Sequence, residues 1–429
     1  MIPDTRAGTT AVAVVLSLAL VTLAAGCTGG SAPSPSPAPP VRAASPTPSP
    51  SPSGPSSPTA SPSPTSAAPS ASPRPTPTPT PTPTATHTAS GSDPVADWTL
   101  EQKVGQLVMV GMPLAGSRAT TAALVSQRHV GGVFLHGRTD AGVVRVRNLV
   151  DAYQRIDHDP TPLLVATDQE GGQVQTLRGP GFSTIPPATE QVKLPNLEAN
   201  AATWGRELVA AGVDVDLAPV ADLVPPELAS ANAPVGHFQR NYGFTAPDVV
   251  AGASAFADGM RAAGVTPTIK HFPGLGRVTE NTDTTAGVTD DVTTADDASV
   301  GVFRDVLAQT ASGSGPSPWV MVSTAIYSRI DAERPGAFSP AVVGLLRERV
   351  GYHGVVVTDD VSAAKQVQAW SPGERAVLAV DAGCDIVLAS ADPSTANAML
   401  DALLAKAKSD PAFAAKVDAA AARVVAAKG

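Results

Sequence analysis

After residue 93 the chain alternates between two hydrophobic patterns. Short apolar runs occur at 107–112, 131–136, 163–168, 213–219, 266–272, 319–323, 354–359 and 384–388. Most are continuous in Val, Ile and Leu, which is how strands buried on both faces read. Between them lie segments with apolar residues at helical spacing, among them 201–211, 247–262 and 340–349. A further helix is expected just before the first run, with Thr99 as its cap and Gln102 as the reciprocal cap. Buried strands separated by amphipathic helices form a parallel sheet covered on both sides, and eight such units are the count of a (β/α)8 barrel, an α/β fold. An open doubly wound sheet is the alternative, but the Gly-x-Gly-x-x-Gly turn is missing after the first strand.

Composition changes this picture at the N-terminal end. The prolines are concentrated before Asp93, 21 of the 43 in little more than a fifth of the chain, and residues 28–93 are mainly Pro, Ser, Thr and Ala with too few large apolar side chains to bury a core. Alternating Thr-Pro runs favour polyproline II, a linker on the order of 200 Å long if fully extended. Ahead of it, the apolar stretch 10–25 leads into Leu23-Ala24-Ala25-Gly26-Cys27. That sequence resembles the lipobox of bacterial lipoprotein signal peptides, with Ala24 where leucine is commoner. The resemblance implies a signal peptide over 1–27 with Cys27 as the lipidated first residue of the mature chain; composition makes 28–93 a linker and leaves 94–429 as one barrel-sized domain. The lipobox resemblance places that domain at a bacterial cell membrane, lipid-anchored and facing the cell wall.

A formal net charge of −9 with no basic stripe excludes a nucleic-acid partner. The seven histidines are scattered and there is no Cys-x-x-Cys, so neither metal nor cofactor is expected. Cys384 lies in an apolar run and is expected to be a small buried residue. Nothing in the chain sets an oligomeric state.

In a barrel of this kind, chemistry sits at the C-terminal ends of the strands. Those ends are polar in most units of a chain that is only 16% charged: Asp168-Gln169-Glu170, Lys270-His271, Ser323-Thr324 and Asp359-Asp360. Two carboxylates across a pocket, with polar groups for hydroxyls, are the requirement for glycosidic bond cleavage. One attacks the anomeric carbon and the other protonates the leaving oxygen. Asp359 ends a rigid strand and suits the nucleophile, while Asp360 is expected to point away and cap the next helix. Asp283, in a mobile loop after Pro273-Gly274, is the candidate acid, with Glu280 in reserve. Its reference pKa of about 3.9 must rise for that role, and Asp359 nearby would push it that way.

Four stretches together resemble glycoside hydrolase family 3: Asp168-Gln169-Glu170-Gly171-Gly172, Val235-Gly236 with Arg240-Asn241-Tyr242-Gly243, Lys270-His271-Phe272-Pro273-Gly274, and Val357-Thr358-Asp359-Asp360-Val361-Ser362. They are most similar to its bacterial β-N-acetylglucosaminidase branch, over residues 98–429. The resemblance implies a retaining mechanism through a covalent glycosyl-aspartate, acting on N-acetylglucosamine-containing wall fragments. It matches Asp359 to the nucleophile and Asp168, Arg240, Lys270 and His271 to residues that hold sugar hydroxyls. The sandwich-type second domain of many family 3 β-glucosidases has no counterpart in the sequence, which fits the single-domain branch.

The departures lie on the acid side. In the branch the loop reads Lys-His-Phe-Pro-Gly-His-Gly, followed by an Asp-x-His dyad whose histidine is the acid/base. This chain has Leu275, Asn281 and Asp283 at those three positions, and Gln173 and Thr176 replace arginines often seen after Asp168. Two readings follow. Either Asp283 takes over as general acid, or the chain is a catalytically impaired lipoprotein that binds wall sugar through the four retained groups. Retention of Asp359 favours the enzyme.

Overall fold

The computed structural model describes residues 94–157, 159–311 and 314–428. The expected signal peptide with Cys27, and the linker after it, lie outside the described residues. Eight parallel strands form the central sheet: β1 (Val108–Pro113), β2 (Gly132–His136), β3 (Leu164–Thr167), β4 (Val215–Asp216), β5 (Thr266–Phe272), β6 (Trp319–Val322), β7 (Val356–Thr358) and β8 (Val387–Ala389). Each falls on the run that predicted it. Neighbours follow the order β7-β6-β5-β4-β3-β2-β1-β8. A parallel bridge between Val357 and Ile386, with the Thr358 N–H donating to the Ile386 carbonyl at 3.0 Å, joins β7 to β8 and closes the barrel.

Alternation along the strands separates two cores. Met109, Phe134, Val215, Met321, Val357 and Leu388 pack together in the barrel interior, joined by Val424 of the last helix. Their neighbours Val108, Val110, Val133, Val320 and Val356 pack instead against the surrounding helices. Burial of each such side chain is worth roughly 1.5–3 kcal/mol, and a one-residue slip would exchange the two sets. The helices follow from local signals. Thr99 and Gln102 form the expected capping box ahead of Leu100–Gln106, and Thr245 caps Ala246–Ala262. The helix expected at 201–211 starts earlier, at Leu197, because Asn196 caps it. The one expected at 340–349 is α-helical over Pro340–Gly344 and widens to a π turn over Leu345–Arg349. Cys384 is buried with a free thiol.

Two loop arrangements shape the upper face. Directly after β3, Gln169–Gly171 pairs antiparallel with Val174–Gln175, and Gly171 (φ 105) and Gly172 (φ 55) turn the hairpin. After β5 the chain turns at Gly274 (φ 135). It then passes Leu223 so closely at Gly276 that an added Cβ would run into the Leu223 carbonyl oxygen.

Candidate active site

The polar strand ends meet over the barrel. Asp168, Arg240, Lys270, His271, Asp283 and Asp359 all line one pocket of about 490 Å³, and Phe134, Leu217, Met321 and Leu388 from the interior layer form its floor. Cys27 is the one proposed site residue outside the described residues.

One wall is a charge network. Lys270 Nζ lies 2.7 Å from Asp168 Oδ1 and 2.6 Å from Glu170 Oε1. Arg240 Nε and Nη2 donate to Glu170 Oε2 and Oε1 at 2.8 and 2.7 Å, and its Nη1 donates to the Pro234 carbonyl at 2.6 Å. Burial alone would raise the pKa of Glu170. The Arg240 and then the Lys270 charge outweigh it and hold the carboxyl down at about 2. Burial likewise works against the Lys270 ammonium, but Asp168 and Glu170 more than offset it and lift its pKa above the usual value. Both cations are therefore charged at any physiological pH, fixed by a carboxylate that they neutralise. Asp168 keeps its second oxygen toward the pocket.

His271 is oriented from behind. Its Nδ1 lies 2.7 Å from Asp222 Oδ2, and Asp222 Oδ1 accepts from the His271 and Leu275 backbone N–H groups at 3.2 and 2.8 Å. Asp222 is fully buried. A carboxylate accepts a hydrogen bond, so the ring N–H at Nδ1 faces Asp222, which leaves Nε2 for the pocket. Leu275, at the position of the branch's loop histidine, is a buried wall residue.

Asp359 follows β7 directly. Its N–H donates to the Val322 carbonyl at 2.9 Å, and its Oδ1 accepts from the Asp360 N–H at 2.8 Å. Burial, with repulsion from Asp360, raises its pKa, while His271 and Lys270 pull it back. Across the pocket, Asp283 is open to solvent on its rim side. Desolvation on its inner side, then the charges of Asp359 and Asp360, push its carboxyl up to about 6. Glu280 is exposed outside the pocket lining.

Three expectations are corrected by this geometry. Asp360 does not cap a helix and turn away. Its Oδ2 accepts from the Ala363 N–H at 2.9 Å, and its Oδ1 accepts from the Ser390 N–H and hydroxyl at 2.8 and 2.9 Å, so it ties the ends of β7 and β8 at the pocket edge. Ser371 caps the helix Pro372–Ala382 instead. Next, the Asp283 loop is fastened. Asn281 Oδ1 accepts from the Asp283 N–H at 2.8 Å, so Asn281, at the dyad aspartate's position, shapes the turn. Buried Asn232 donates to the Leu275 and Val278 carbonyls at 2.7 Å each and accepts from the Val235 and Gly236 N–H groups. Lastly, Glu170, Asp222 and Asn232 are absent from the candidates drawn from the sequence. Glu170 stood inside a quoted motif. Asp222 would have appeared had the fourth strand been followed beyond Pro219, since Val220 still bridges Lys270. For Asn232, in a loop of small residues, no local signal exists.

His136 and Arg138 also line the pocket, and Arg138 Nη2 donates to the Gln173 carbonyl at 2.5 Å.

A (β/α)8 barrel whose pocket is lined by two carboxylates, Asp283 and Asp359, is an arrangement that glycoside hydrolysis can use. The family model described as glycosyl hydrolase family 3 N terminal domain matches residues 99–427, and the chain belongs to that family. It is similar to a β-hexosaminidase of Methylococcus capsulatus, 34% identical over 280 residues that cover 64% of this chain and 79% of that protein. Similarity to a β-hexosaminidase of Vibrio cholerae is 33% over 278 residues, again 64% and 79%. Among solved structures, a β-N-acetylhexosaminidase from Beutenbergia cavernae matches at TM-score 0.75 and 56% identity, covering 78% of this chain and 99% of that one. A family 3 β-N-acetylglucosaminidase from Paenibacillus sp. matches at 0.67 and 32%, covering 77% and 62%.

Proposed function

We propose that the chain is a retaining β-N-acetylglucosaminidase in which Asp359 is the nucleophile and Asp283 the acid/base. The observation that carries this reading is the placing of both carboxyls in one pocket that Asp168, Arg240, Lys270 and His271 also line. In the first step an Asp359 oxygen bonds to the anomeric carbon as the glycosidic C–O bond breaks, and the Asp283 proton passes to the leaving oxygen. Esterification removes the Asp359 charge, so the Asp283 pKa falls and its carboxylate can take a proton from water. That water attacks the anomeric carbon and releases Asp359. Asp168 accepts from sugar hydroxyls while Lys270 and Arg240, held by Glu170, donate to them as charged groups.

The substrate class is a terminal β-linked N-acetylglucosamine, in agreement with what the similar enzymes are named for. We further propose that lipid on Cys27 anchors the chain to a bacterial membrane and that residues 28–93 hold the barrel toward the cell wall, where fragments carrying this sugar arise. The lipobox-like sequence and the Pro/Ser/Thr composition support this. Palmitate labelling of cells that is lost in Cys27→Ala tests it, and unchanged labelling would rule it out.

The enzymatic test is hydrolysis of nitrophenyl β-N-acetylglucosaminide by the full chain beside Asp359→Ala and Asp283→Ala. Turnover should vanish in the first. In the second, substrates with poor leaving groups should slow by roughly 10²–10⁴-fold. Absent turnover on any aryl β-glycoside, with wall fragments still bound, would make this a sugar-binding relative.

A further inference from the structure

The loop that carries Asp283 is joined to the loop that follows Asp359, and one buried side chain completes the join. The Lys365 and Gln366 N–H groups donate to the carbonyls of Asp283 and Thr282, at 3.1 Å each. The Gln366 amide then pairs with a single backbone unit. Its Oε1 accepts from the Val288 N–H at 2.9 Å and its Nε2 donates to the Val288 carbonyl at 3.0 Å. Gln366 is 4% exposed and lies outside the pocket. Val288 leads into Thr289–Asp290, which runs parallel to Ile326–Tyr327 and so ties the same point to the loop after β6.

An amide satisfied at both ends by the backbone of one residue resists sliding of the two loops, because breaking either bond leaves a buried end of the Gln366 amide without a partner. Proton transfer in the transition state needs the acid within hydrogen-bond reach of the leaving oxygen, so small displacements cost rate. We propose that Gln366 is a positioning residue, setting Asp283 against Asp359 across the pocket through Thr282, Asp283 and Val288; this rests on Asp283 being the acid. Gln366 touches neither substrate nor reacting atoms. Its loss slows the protonated step and spares the nucleophile, since Asp359 keeps its own bonds to Val322 and Asp360.

The test compares kcat/KM of the full chain on two aryl β-N-acetylglucosaminides, one with a dinitrophenyl leaving group that needs no proton and one with a methoxyphenyl group that does. The variants are Gln366→Ala, Lys365→Pro and Asp283→Ala. Lys365→Pro deletes the N–H bonded to the Asp283 carbonyl and leaves Gln366 in place; among the described residues the only other bond it removes is the exposed one from Lys365 Nζ to Gln368 Oε1. Ala364 already has φ −53 and ψ 128, a conformation that precedes proline, and Lys365 opens its 3-10 turn, where proline fits. Gln366→Ala should lose about tenfold or more on the methoxyphenyl substrate, part of what a placed acid supplies, and little on the dinitrophenyl one. The alkaline limb of its pH profile should move to lower pH as Asp283 leaves the field of Asp359 and Asp360. Lys365→Pro should show the same selectivity, and it decides the matter if Gln366→Ala does not fold. Selective loss in Asp283→Ala alone, or equal loss on both substrates with an unmoved alkaline limb, would overturn the role of Gln366 and leave the acid in place. If Asp283→Ala itself shows no selectivity, the acid assignment and the positioning role fall together.

Discussion

Lys270 stands between the carboxylates of Asp168 and Glu170, and Arg240 takes both oxygens of Glu170 in a fork. Beneath them Asp216 is fully buried, and burial pushes its carboxyl up to about 8. Its Oδ1 accepts from the Gln169 N–H at 2.9 Å, and among the described residues its Oδ2 has no partner. The folded chain thus holds a proton that the unfolded chain, at the ordinary value of 3.8, has released. This contribution is whole below about 3.8 and drains as pH rises toward 8. Glu170 acts the other way, with stability present above its ordinary 4.5 and lost as pH falls toward 2. Asp216→Asn mimics the neutral form. It should flatten the decline of melting temperature between pH 5 and 9, raising it by several degrees at the alkaline end. A variant whose melting curve tracks the parent at every pH would contradict a protonated Asp216.

The elements were legible where hydrophobicity alone decides them. All eight strands fall on their apolar runs because both faces are buried and nothing competes with Val, Ile and Leu there. Strand β4 is short, and the side chains of Asp214, just before it, and Asp216, within it, accept from the backbone N–H groups of Val165 and Gln169, which lie outside its own run. Asp168, Arg240, Lys270, His271 and Asp359, which line the pocket, were legible as strand tips or family motifs, and Asp283 as a loop carboxylate. The groups that hold them were not, since Asp222, Asn232 and Gln366 act on partners distant in sequence. The Asp283 loop reads as mobile from Pro273-Gly274, yet it is tied down. Asn232 carries two of the bonds that do so, to the Leu275 and Val278 carbonyls, and two more that hold its own loop at Val235 and Gly236. Asn232→Ala should cost about 2 kcal/mol or more by stranding these groups, seen as a lower urea midpoint. Asn232→Asp should not restore it, because a carboxylate would face the Leu275 and Val278 carbonyls. Midpoints equal to the parent's would show that the two loops hold without it.

At the scale of the whole molecule, a family 3 barrel brings Asp359 and Asp283 into one pocket with Asp168, Arg240, Lys270 and His271, and the proposed acid is an aspartate. An aspartate in that role sets the pH logic. Burial first, then the charges of Asp359 and Asp360, hold its pKa at about 6, so under the proposed mechanism the Asp359 part of that shift is lost while the ester stands and returns when it breaks. The central claim is the covalent intermediate on Asp359 with Asp283 as its partner. The most direct measurement is mass spectrometry of Asp283→Ala quenched during turnover of dinitrophenyl β-N-acetylglucosaminide. The good leaving group lets the intermediate form without an acid, and the missing base delays its hydrolysis. The account predicts one N-acetylglucosaminyl unit on the peptide that contains Asp359. Steady turnover with no adduct, or an adduct on another residue, would contradict it.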